Sequence, residues 1–79
     1  MAEMVFTGLT VETQSAIDSA IANACAKHPL FAENEYQVVS LAAEELGEFA
    51  QAINDKDTEK ARKEALDTIA VLVRYLQYD

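Results

Sequence analysis

At 79 residues the chain makes one small domain, near the size where a single core leaves little stability to spare. Its residues are 51% apolar and 25% charged with only two Gly and one Pro, which excludes a disordered chain and favours helix throughout. A net charge of −8 argues against binding a nucleic acid polymer or an anionic membrane, and the single cysteine, Cys25, excludes an internal disulfide.

In chain order, residues 1–9 lack periodicity and read as a loose lead-in to a single domain spanning 1–79. Thr10 is a candidate N-cap for a first helix over Val11 to Lys27, whose inward stripe is Ile17, Ala20, Ile21 and Ala24. Cys25 reads as a small core residue and His28 as a helix-end residue. Pro29 stops the helix, and Leu30 and Phe31 in the following loop are expected to cover core or pocket. Asn34 caps a second helix running to about Ile53, with Gln37 placed to complete a capping box. Val38, Val39, Leu41, Ala42, Leu46, Phe49, Ala50 and Ile53 fill one broad apolar arc, and Glu45 falls inside it. Asp55 or Asp57 caps a third helix reaching Gln77. Thr58 to Glu64 reads as charged and solvated, and Ala65 to Leu76 as apolar nearly all round. A helix apolar on every side needs more cover than two other helices supply, so a partner chain is expected.

Two acidic pairs stand out: Glu45 with Glu48, and Glu64 with Asp67. Each pair is spaced i, i+3 and so shares a helix face. Glu48 and Glu64 lie eight residues either side of Lys56, and Glu45 and Asp67 lie eleven. A helical hairpin folded about Lys56 therefore brings four carboxylates together at two matched levels. Carboxylates that close need protons, basic partners or a hard divalent cation. Mg²⁺, with Mn²⁺ as the alternative, suits an oxygen cup open to substrate phosphates. Metal there would polarise phosphoryl oxygens and lower the pKa of a bound water, so no Ser-His-Asp or Cys-His arrangement is required.

The run Glu44-Glu45-Leu46-Gly47-Glu48-Phe49-Ala50-Gln51-Ala52-Ile53, followed by Glu64-Ala65-Leu66-Asp67, resembles the signature of the MazG-like all-α NTP pyrophosphatases. That superfamily also includes dimeric dUTPases and the HisE-type phosphoribosyl-ATP pyrophosphohydrolases. The resemblance covers Glu35 to Leu76, roughly half the chain. It implies Mg²⁺-dependent cleavage between the α and β phosphates of a nucleoside triphosphate, giving a monophosphate and pyrophosphate, in the service of nucleotide-pool house-cleaning. It implies Glu45, Glu48, Glu64 and Asp67 as metal ligands, and a homodimer or dimer of dimers built as a helical bundle. Members commonly continue with further helix beyond the helix that bears the second acidic pair, whereas this sequence stops at Asp79.

The expected fold is thus all-α: a short first helix plus a long antiparallel hairpin, dimerising into a bundle of four or more helices. Lys60 and Arg74 lie on the Glu64/Asp67 side of the third helix and are candidates to neutralise substrate phosphates. Tyr78 lies on the Asp67 side as a further substrate-binding candidate, Tyr75 reads as interface packing, and Lys63 as pointing away into solvent. Glu44 is chiefly surface charge, with orientation of the attacking water as its minor catalytic role. No signal peptide and no bilayer-length apolar run are evident, so a cytoplasmic location is expected. The rival readings are a non-catalytic acidic helical interaction module, and a degenerate family member that binds metal or nucleotide without turnover.

Overall fold

The computed structural model describes residues 8–77. Its three helices are α1 (Val11–Lys27), α2 (Glu35–Asn54) and α3 (Thr58–Gln77). Each begins where a side-chain oxygen accepts a backbone N–H that the first helical turn leaves unpaired. Thr10 Oγ1 accepts from the N–H of Thr13 at 3.0 Å, Asn34 Oδ1 from that of Gln37 at 2.9 Å, and Asp57 Oδ1 from that of Lys60 at 3.1 Å. Gln37 does reach back, but its Oε1 accepts from the N–H of Glu33 at 2.6 Å, one residue before the cap. Because nothing interrupts the chain between Thr10 and Pro29, α1 has 17 residues against 20 in each of the others. It is not the short element expected. Among the described residues no helix is long and apolar enough to cross a membrane.

The hairpin of α2 and α3 pivots on Lys56, which takes the left-handed conformation at φ 58°. Around it, the N–H of Lys56 donates to Ile53 O at 3.1 Å and the N–H of Asp57 donates to Ala52 O at 3.0 Å. This paired bond pattern closes off the last carbonyls of α2, and it ordinarily employs glycine at the left-handed position. A lysine there bears the steric cost of its Cβ. Lys56→Gly is therefore expected to stabilise the fold by about 0.5–1 kcal/mol, read as a higher urea midpoint with an unchanged slope.

Helix α3 is the hub. It packs against α2 along the hairpin and against α1 on another side, while the backbones of α1 and α2 stay apart. The docking of α1 depends on its half-buried Ile17, Ala20, Ile21 and Ala24, and none of its residues is fully buried. Polar bonding compensates in part. Arg74 of α3 donates to His28 O at 2.8 Å and adds a second donor, at 3.2 Å, to Ala24 O, which already accepts the His28 N–H. Its guanidinium also lies 4.7 Å from the centre of the Phe31 ring, a cation–π contact. Cys25 is exposed, not core, since it lies off the docking stripe. Phe31 is half-buried as expected, but Leu30 is 91% exposed and covers nothing in this chain.

Among the described residues the apolar core consists of Val38, Ala52, Ala61 and Ala70, with no large side chain fully buried. The arc of α2 is too wide for one neighbour to cover. Val38, Leu41, Ala42 and Phe49 turn inward to varying depth, while Val39, Leu46, Ala50 and Ile53 stay exposed. On α3, Ile69, Leu72 and Leu76 are likewise exposed.

Candidate metal centre

The hairpin brings three of the four carboxylates together. One oxygen each from Glu45, Glu48 and Glu64 lies within 4.8 Å of the other two. Their surroundings differ: Glu48 is exposed, Glu45 is half-buried and Glu64 is only 3% exposed. The burial of Glu64 corrects the expectation of a solvated first half of α3. Ala61 and Glu64 are spaced i, i+3 and both are buried, so the inward face of α3 begins a full turn earlier than its apolar run.

Oε2 of Glu64 and Oε2 of Glu45 are both sealed from solvent and have no hydrogen-bond partner. With both groups ionised at that separation, their repulsion is roughly 3 kcal/mol at an effective dielectric of about 20. Two remedies exist: a proton between the carboxylates, or a cation. Glu45 resists ionisation: its pKa is pushed up from 4.5 to about 7, first by burial, then by the neighbouring Glu64, Glu48 and Asp67. Glu48 is raised as well, chiefly by its proximity to Glu64. Glu64 is held below the ordinary carboxylate range, the neighbouring Glu48 being the largest cause. The cluster is therefore a charged carboxylate flanked by two acids that ionise reluctantly. A hard cation can replace their protons, and the donor set of carboxylate oxygens suits Mg²⁺ or Mn²⁺.

Asp67 stands apart from these three. Its Oδ2 accepts from Lys63 Nζ at 2.9 Å, and the same ammonium lies 3.4 Å from Glu64 Oε1. Lys63 thus departs from the expectation that it points away. Its side chain is 66% exposed, yet its tip returns to the acidic cluster, and the Asp67 bond raises its pKa. The sequence signal for it is the i, i+4 spacing of Lys63 and Asp67. Lys60 stands close enough to Glu48 to favour the ionised form of that carboxylate. Arg74 is engaged by the α1 carbonyls and the Phe31 ring, which gives its charge in an apolar stretch a structural reason. Glu44 is exposed, and Tyr78 lies outside the described residues.

Because the backbones of α1 and α2 stay apart, a cleft of about 900 Å³ opens between them with α3 as its floor. Glu45, Glu48 and Asp67 line it together with Lys63 and Arg62, as do Lys27, Phe31 and Arg74. Its volume is within the range of small-molecule sites. Fold and site together define a class: an all-α chain with a three-carboxylate cluster, one member of it buried, beside an open cleft. No protein-family model, curated protein or solved structure matches the chain.

Proposed function

We propose that the chain is a Mg²⁺-dependent nucleoside triphosphate pyrophosphohydrolase that cleaves the α–β phosphate bond. The observation that carries this reading is the buried, unpartnered Glu64 oxygen in the cluster with Glu45 and Glu48, beside a cleft roomy enough for a nucleotide. The likeness of the two acidic segments to the MazG-like signature, carried by the same acids, is in keeping with it. Glu45, Glu48 and Glu64 would hold Mg²⁺, and Asp67 would join them once freed from Lys63. When bound, Mg²⁺ supplies charge neutralisation of the phosphoryl oxygens. The chain's own residues bind and orient: Lys60 and Lys63 offer positive charge beside the cluster, and the cleft wall near Phe31 shelters the nucleoside. Water attacks the α phosphorus and pyrophosphate leaves, so one monophosphate forms per pyrophosphate.

The same reading has the chain act as a homodimer or a dimer of dimers. Val39, Ala43, Leu46, Ala50 and Ile53, all exposed, recur along α2 in alternating steps of four and three, the repeat of a helix–helix seam. Gly47 lies among them, and a Cβ built there meets nothing within 4 Å in this chain. A core this small is a second support, since domains of this size usually need oligomerisation or a metal.

The test is release of pyrophosphate from a panel of ribo-, deoxy- and non-standard nucleoside triphosphates, with and without Mg²⁺. The expected result is metal-dependent release, with monophosphate formed in equal amount, from a protein that sediments as a dimer or larger. The exposed apolar seam also suits a non-catalytic interaction module. Absence of turnover with every nucleotide, together with no Mg²⁺-induced rise in melting temperature, would favour that module instead.

A further inference from the structure

We infer that Lys63 is a built-in competitor of the divalent cation, holding Asp67 aside and sharing Glu64 until metal displaces it. This rests on the metal-binding part of the reading above and adds a residue that the acidic motif does not contain. The lysine Nζ sits 2.9 Å from Asp67 Oδ2 and 3.4 Å from Glu64 Oε1, bridging two of the four acids. Glu64 is the buried member, and its second oxygen has no hydrogen-bond partner. Glu64 thus meets an internal monovalent cation at one oxygen while it also belongs to the three-carboxylate cluster. A divalent ion drawing on both Glu64 and Asp67 must break the Lys63–Asp67 pair and oppose the lysine's charge at close range. The displaced ammonium is long, mostly exposed and already on the cleft wall, so it is free to meet an anion there. Metal binding and release of Lys63 into the cleft are then one event, and the affinity for metal alone is held low.

The experiment is calorimetric titration of the full chain with Mg²⁺ alone, comparing the parent with Lys63→Met and Lys63→Arg. Removing the charge should tighten Mg²⁺ roughly tenfold, while Lys63→Arg, which keeps the charge, should stay close to the parent. The melting-temperature rise at fixed Mg²⁺ should follow the same order. Equal or weaker binding by Lys63→Met overturns the inference, as does equal tightening by both variants, which would show that the charge is irrelevant. Absence of Mg²⁺ binding by all three proteins overturns this inference and the metal centre together. Tightening by Lys63→Met without turnover of any nucleotide leaves the competitor in place and removes only the hydrolase.

Discussion

Glu45→Gln is expected to cut Mg²⁺-dependent pyrophosphate release by roughly a hundredfold or more, while making the metal-free protein more stable at pH 8. The two effects share a cause. The carboxyl of Glu45 ionises only near pH 7 because burial and three neighbouring acids disfavour its charge. A group whose folded pKa lies above its unfolded value binds its proton more tightly in the fold. Its contribution is therefore fully present below pH 4.5 and is lost as pH rises from 4.5 towards 7. Glutamine imitates the protonated acid at every pH. The variant should melt with the parent at pH 4 and above it at pH 8, provided Mg²⁺ is chelated. Adding Mg²⁺ at pH 8 should reverse the order, because only the parent gains a ligand-bound state. Thermal melts at the two pH values, with chelator and with Mg²⁺, check all four comparisons. If the variant melts below the parent at pH 8 in chelator, Glu45 is not under the strain ascribed to it.

Arg74→Ala is expected to loosen α1 and cost about 2–3 kcal/mol. Two charge-assisted hydrogen bonds run from this one side chain to Ala24 O and His28 O, and the Phe31 ring loses its cation. Helix α1 has no buried residue to hold it once these go. The loss should therefore be local before it is global. Amide exchange should accelerate throughout Val11–Lys27 while the inward face of the α2–α3 hairpin keeps its protection. Arg74→Lys should recover little, since an ammonium cannot span two carbonyls and lie flat on an aromatic ring at once. The same variants bear on the candidate role of Arg74 in substrate binding. If its guanidinium serves phosphates, the Michaelis constant rises more than stability alone explains. If it serves α1, turnover falls with the population of docked helix.

The three helices and their caps are legible in the residues because Thr10, Asn34 and Asp57 act through local bonds that no distant contact overrides. The pivot at Lys56 is legible through the symmetry of the acidic pairs about it. Convergence of Glu45, Glu48 and Glu64 follows from hairpin geometry alone. What is not legible concerns relations between helices. Periodicity places Glu64 in a charged run and cannot say that the first turn and a half of α3 already faces α2. It places Lys63 off the Glu64/Asp67 face, but a four-carbon side chain is long enough to return to it. Arg74 stands out as a charge in an apolar stretch, yet its carbonyl partners are about fifty positions back in the chain and leave no local trace. Residue type alone assigns Leu30 and Cys25 to the interior, and the open arrangement of α1 offers them none.

The hub position of α3 has one more consequence, for the order in which the chain can assemble. Both earlier helices lean on an element that follows them, and their own backbones stay apart. As the polypeptide emerges from the ribosome, α1 and α2 therefore have nothing to dock on until α3 is made. Isolated helices of their length are marginal in water. Assembly is then a late, nearly simultaneous event, with the carboxylates kept apart from one another until the scaffold that must tolerate their charge is in place.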